Sequence, residues 1–264
     1  MLTRARKTLR AIRWRWLVPS LLLAGCETVP YTGRSQLILL PESAELQMGL
    51  QAYAEVLRRS TIARDPVANE QLERVGRRIA VATGRADYQW KFTLLESREA
   101  NAFCLPGGKV AVYTGILPIT QDDTGLAVVL GHEIAHAIAH HGAERVSQAL
   151  LVEAGLAATQ VALANQDPGT AKQITSLLGA GATVGVMLPW GRAQESEADH
   201  LGLIFMAKAG YDPRAALAFW QRMMQEAKGP RPPEFLSDHP SDQTRIRQIG
   251  AWIPEAMLHY RPVD

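Results

Sequence analysis

The sequence predicts an α+β domain that is mainly helical, with a small β-sheet. Three observations predict it. Apolar residues recur at helical spacing over long stretches, among them Pro41 to Arg59, Pro66 to Ala82 and Asp122 to Leu151. Two short β-rich runs, Lys91 to Leu95 and Val110 to Tyr113, stand either side of the turn signal Pro106-Gly107-Gly108. No repeat with a period of 20–50 residues divides the 264 residues, of which 47% are hydrophobic and 20% charged. A disordered chain, a collagen-like chain and a repeat solenoid are thereby excluded.

From the N-terminus, residues 1–25 carry Arg4, Arg6, Lys7, Arg10, Arg13 and Arg15 and no acidic residue, ahead of a short apolar run from Trp16 to Ala24. A bilayer span needs about 20 apolar residues, so this pattern is read as a secretory signal peptide. These six cations exceed the whole net charge of +2, and the remainder is mildly acidic. That excludes an electrostatic footprint for nucleic acid. Leu23-Ala24-Gly25-Cys26 resembles the lipobox of bacterial lipoproteins. The resemblance implies cleavage before Cys26, lipidation of Cys26 and a membrane anchor. Glu27, in place of an aspartate, points to the outer membrane, facing the periplasm.

Residues 26–40, with Pro30 and Gly33, are expected as a tether, and residues 41–264 as the folded domain. Two cysteines are too few for a disulfide framework. Cys104, in the apolar run Ala102 to Leu105, is expected to be buried. Further helices are expected near 170–180, 192–209, 213–227 and 241–252, separated by Gly210 and Pro213 and by Pro230, Pro232 and Pro233. Ile174 to Trp190 contains no charged residue. It is expected as a buried helix passing into a mobile segment, and Gly179 to Gly191 could cover a cleft.

The chemistry-bearing stretch is Gly131-His132-Glu133-Ile134-Ala135-His136, an HExxH motif. Histidines four apart share a helix face, so both imidazoles can reach one ion, with Glu133 beside them to act on water. Leu126, Val128, Val129, Leu130, Ile134 and Ile138 make the helix apolar nearly all round. Buried histidines and a buried glutamate need partners, and zinc supplies them. A third protein ligand is required. The position ten residues after His132 is Gly142, so a third histidine at metzincin spacing is excluded. His140 and His141 follow too closely and are expected to be solvated or to support a ligand. Glu195 and Asp199, four apart on one helix face, can divide two roles. One carboxylate binds the metal while the other orients a ligand histidine through its second ring nitrogen. Glu197 lies about 200° from Glu195 on the wheel and is expected to face solvent.

HExxH followed by ExxxD resembles the M48 family of zinc metallopeptidases, and within it the periplasmic lipoprotein members. Further segments carry the resemblance: Tyr31 to Leu37 (YTGRSQL), Asn101 to Gly108 (NAFCLPGG), Glu195 to Asp199 with Gly210-Tyr211-Asp212-Pro213, and Ser237-Asp238-His239-Pro240. The resemblance implies a zincin-like fold whose small sheet borders the active-site cleft. It implies one Zn2+ per chain on His132, His136 and Glu195, with Glu133 as general base and Asp199 holding a ligand histidine. It implies that the strand of Asn101 and Phe103, closed by Gly107 and Gly108, borders the cleft and pairs with substrate. His239 is expected near the metal, filling its fourth position at rest or stabilising the oxyanion. The expected activity is hydrolysis of peptide bonds in unfolded or misassembled envelope proteins. The alternative is an outer-membrane assembly factor or chaperone, working beside the assembly machinery, in which client binding dominates.

Overall fold

A computed structural model of the chain describes residues 26–229, 233–240 and 243–262. The expected signal peptide, residues 1–25, lies outside the described residues. The first elements are strands β1 (Cys26–Thr28) and β2 (Ser35–Leu37), paired antiparallel. Helix α1 (Glu42–Arg59) and helix α2 (Pro66–Thr83) follow. Pro66 supplies a preset φ to the first turn of α2, and Asp65 accepts hydrogen bonds from the amides of Val67 and Ala68. Gly84, at φ 77°, ends that helix in the left-handed conformation.

The main sheet contains β3 (Lys91–Leu95), β4 (Ala102–Leu105) and β5 (Lys109–Tyr113), in the order β3-β5-β4. Strand β5 is central, parallel to β3 and antiparallel to β4, with Phe103 opposite Ala111 and Cys104 opposite Val110. Strand β4 is therefore an edge. The Pro106-Gly107-Gly108 turn joins β4 to β5 with φ 81° at both glycines. A side chain on Gly108 would meet Trp90 at 2.8 Å, and one on Gly49 of α1 would run into the Pro106 carbonyl. The turn is thus seated on α1 and the Trp90 indole.

The remaining helices are α3 (Leu117–Thr120), α4 (Asp123–Ile138), α5 (His141–Ala162), α6 (Pro168–Ala182), α7 (Leu188–Lys208), α8 (Ala215–Glu226), α9 (Phe235–Asp238) and α10 (Gln243–His259). A π-helical turn, Thr183–Met187, runs α6 into α7 without a break. Helix α4 is buried from Gly125 to Ile138 and packs against α2, β4, α7 and α8. Its crossing with α7 is close because both helices present glycine there. A Cβ on Gly131 would lie 2.8 Å from the Gly202 carbonyl oxygen. Leu126, Leu130, Ile134, Phe205, Trp220 and Phe235 fill the core around this crossing.

Three expectations are corrected. The stretch expected as a tether is folded, because Val29, Gln36 and Ile38 are buried and Arg34 reaches two carboxylates of the body. The helical pattern from Asp122 to Leu151 is two helices, since His140 at φ 54° ends α4 and turns the chain. That turn lets His140 pair with Glu45 of α1 at 2.7 Å. The charge-free helix expected to be buried is not: α6 has no buried residue, and Leu177 is 73% exposed.

Candidate metal centre

Helix α4 carries His132, Glu133 and His136, helix α7 carries Glu195 and Asp199, and the residue closing α9 is His239. The α4–α7 crossing brings them together. His132 Nε2 and His136 Nε2 are 3.1 Å apart. Glu195 Oε2 lies 3.3 Å from His132 Nε2, and its Oε1 lies 3.4 Å from His136 Nε2. His239 Nδ1 lies 3.1 Å from His132 Nε2 and 2.9 Å from Glu195 Oε2. Ligand atoms of all four residues fall within 4.8 Å of one another.

The chemistry of the donors tests whether a metal fits. His132 Nδ1 faces Asp199 Oδ1 at 3.0 Å and donates its proton there, so Nε2 carries the lone pair. His136 Nδ1 faces the ring of His141 at 2.8 Å, which likewise leaves Nε2 for the centre. Two nitrogen lone pairs aimed at each other beside a carboxylate repel unless a cation sits among them. The arrangement therefore fits a divalent ion with histidine and carboxylate ligands. Burial holds the His136 imidazole well below its ordinary pKa, and so neutral as a ligand must be. Burial opposes ionisation of Glu195, but the imidazoles of His132, His239 and His136 around it outweigh that and keep the carboxylate charged.

Glu133 Oε1 is buried and accepts no hydrogen bond among the described residues, and His239 Nε2 lies 3.3 Å away. Burial pushes the Glu133 carboxyl up to about 7. Asp199 is clamped by Arg245, whose Nε donates to Oδ2 at 2.6 Å and Nη2 to Oδ1 at 2.9 Å. Burial raises the Asp199 carboxyl, and Arg245 and His132 more than offset that, keeping it ionised. The Arg245 guanidinium stacks 3.8 Å over Trp220, whose ring also meets His132 edge-on.

Strand β4 lies against α4, and its outer edge carries no strand among the described residues. Phe103 and Cys104 are half-buried on that strand, so Cys104 is less enclosed than expected. Asn101 precedes it and donates to Asp238 at 3.3 Å, tying the strand to the His239 segment. Gly107 and Gly108 belong to the turn and face Leu46 and Trp90. A cavity of about 720 Å³ opens beside Glu195, lined by Met187, Leu188, Arg192, Asp238 and Arg245.

One expectation about the site is overturned and two residues were missed. Glu197 does not face solvent. It is buried, with Arg34, Thr32 and His141 as partners, because α7 is enclosed on nearly every side at this point. Arg245 and Arg34 were not anticipated. Each lies far in sequence from the carboxylates it holds; Arg245 stands in no motif, and Arg34 stands inside the YTGRSQL segment with no role assigned to it.

The chain matches the description of Peptidase family M48 over residues 66–253. It is 34% identical over 265 residues to the mitochondrial metalloendopeptidase OMA1 of Schizosaccharomyces pombe, covering 96% of this chain and 76% of that protein. It is 30% identical to the protein of the same name in Saccharomyces cerevisiae, covering 93% and 76%. It is 29% identical over 229 residues to the beta-barrel assembly-enhancing protease of Escherichia coli, covering 84% of this chain and 46% of that one. The chain belongs to peptidase family M48 and is a metalloendopeptidase.

Proposed function

We propose that His132, His136 and Glu195 hold one zinc ion and that Glu133 is the general base for hydrolysis of peptide bonds. The observation that carries this is the convergence of three donor groups within 3.4 Å, beside buried Glu133, whose Oε1 has no hydrogen-bond partner among the described residues. Zinc bound there supplies a Lewis acid for the scissile carbonyl and lowers the pKa of water to about 7. Glu133 takes a proton from the attacking water and returns it to the leaving amine nitrogen. Asp199 accepts the Nδ1 proton of His132 and keeps that ring in the tautomer a ligand requires.

Substrate binds as an added strand on the free edge of β4, beside Asn101 and Phe103. Pairing through the main chain selects extended conformation more than sequence, which favours unfolded or misassembled proteins. His239 would be a fourth ligand at rest and would have to withdraw when a peptide enters. Its 2.9 Å approach to Glu195 and 3.1 Å approach to His132 support that role. The lipobox-like Leu23 to Cys26 favours a lipid anchor on the outer membrane, facing the periplasm, although the yeast relatives carry mitochondrial names. The name of the Escherichia coli relative favours a second reading, an assembly factor in which client binding dominates.

The test uses the full chain in detergent, with bound zinc and cleavage of a permanently unfolded protein as readouts. The expected result is one zinc per chain, and cleavage reduced at least about a hundredfold in Glu133→Gln with zinc retained. Folded protein without zinc, or equal cleavage by the variant, overturns the proposal. His239→Ala is expected to raise cleavage, and lost turnover with zinc retained would instead make His239 a catalytic residue. Client binding preserved in Glu133→Gln, together with full assembly function, would favour the second reading.

A further inference from the structure

The two histidines of α4 rest on different supports. Behind His132 stands one carboxylate, Asp199. Behind His136 stands a longer chain of groups that ends in the N-terminal hairpin. His136 Nδ1 meets His141 Nδ1 at 2.8 Å, and His141 Nε2 meets Glu197 Oε2 at 3.0 Å. The hydroxyl of Thr32 donates to Glu197 Oε1, and Arg34 Nε donates to Oε2 at 2.8 Å. The other end of the Arg34 guanidinium grips Glu144 at 2.7 and 2.9 Å, and Gln194 donates to Glu144 at 2.6 Å. His141, Glu144, Gln194 and Glu197 are all buried.

With Glu197 ionised and His141 neutral, proton counting along this chain has one solution. An ionised Glu197 only accepts, so His141 Nε2 carries the hydrogen. A neutral His141 then offers a lone pair at Nδ1. His136 must donate from its own Nδ1, which leaves its Nε2 lone pair aimed at His132 and Glu195. Burying Glu144 and Glu197 side by side is costly unless a cation lies between them, and Arg34 is that cation. The bidentate grip on Glu144 also fixes where the guanidinium sits.

We infer that Thr32 and Arg34 of the β1–β2 hairpin are positioning residues for His136, acting through Glu197 and His141. The hairpin that follows Cys26 is then a part of the metal centre and not only a lead-in to the domain. The inference rests on the reading of His136 as a metal ligand.

The experiment uses the full chain in detergent with three readouts: zinc affinity by competition with a chelator, the visible absorption of the cobalt(II)-loaded protein, and thermal unfolding of the metal-free protein. Glu197→Gln keeps the shape and removes the charge, and is expected to weaken zinc binding about 10- to 100-fold and to shift the cobalt bands. Arg34→Ala is expected to do the same, and Arg34→Lys to recover only part, because an ammonium cannot grip two carboxylates as a fork does. Arg74→Ala removes an exposed ion pair to Asp123 at the start of α4 and is expected to change neither metal readout. A cluster that merely staples the hairpin would lower metal-free stability in Glu197→Gln while zinc affinity and cobalt bands stay as in the parent, and that result overturns the inference. If Arg34→Ala fails to fold, the isosteric Glu197→Gln decides. A folded parent that binds no zinc overturns the ligand reading itself, which is a separate failure from unchanged affinity in the variants.

Discussion

The continuous helical run from Pro168 to Lys208 contains two regions of opposite character. Its first part, α6 with the π-helical turn and the opening of α7, is long and apolar enough to cross a membrane, yet its apolar window is not buried at all. Leu177 is 73% exposed and Val184 66%. The second part, from Gln194 to Ala207, is enclosed, and there Asp199 is 5% exposed and Glu195 9%. Leu177, Leu178 and Leu188 of the first part are outside, and Glu195, Glu197 and Asp199 of the second are inside. Hydropathy alone therefore does not decide burial in this chain. The second part is covered because α2, α4 and α10 pack around it, and its acids are tolerated because histidines and arginines meet every one of them. The first part has few such neighbours, and its composition finds no core to join.

That contrast can be broken by measurement. The largest effect is expected from Phe205→Ala in the enclosed part. The ring is fully buried and also seats Tyr31 of the hairpin edge-on, so the change should cost about 3–5 kcal/mol in chemical denaturation. Removal of the zinc proposed for the centre comes next. At free zinc a thousandfold above its Kd, chelation should lower stability by about 4 kcal/mol. Amide exchange should then quicken in α4 and the second part of α7 and stay unchanged in α6. Gly131→Ala forces a methyl against the Gly202 carbonyl and should cost about 1–3 kcal/mol, read from the melting temperature, with weakened metal binding. Leu177→Ser in the exposed part should change stability by less than about 0.5 kcal/mol. A loss above 2 kcal/mol there would show that the exposed part is packed in solution, and the contrast would fall.

Much of this was legible locally. Helical spacing marked α1 and α2, two β-rich runs marked β3 and β5, and HExxH with Glu195 and Asp199 picked out residues that the α4–α7 crossing brings together. Those signals act within one turn or one strand, so a single stretch of chain carries them. What escaped was set by distant partners. His140 looks like a helical residue, yet its backbone is left-handed and its ring pairs with Glu45 of α1. Glu197 looked solvent-facing because a wheel assumes one wet side, and here the wet side is covered by the hairpin. Arg245 and Arg34 gain meaning only when α10 and β2 arrive beside α7. Residues 26–40, with Pro30 and Gly33, looked like a tether, since ion pairs across more than a hundred residues leave no periodicity to read.

The glycine contact between α4 and α7 acts as a fulcrum. Main chain touches main chain there, so the two helices cannot move closer, and separation would open a void in the core. Any swing of α7 against α4 has to turn about that point. A helix rises about 1.5 Å per residue, so a 10° swing of a rigid α7 displaces Asp199, three residues away, by under about 1 Å. The same swing carries Leu188 about 4 Å and Pro168 about 9 Å. The run is a lever with a short arm at the ligand support and a long arm in solvent. A load on the far end is felt at the centre as a small, stiff displacement, and a cleft can widen at its rim while the hold on His132 is almost undisturbed.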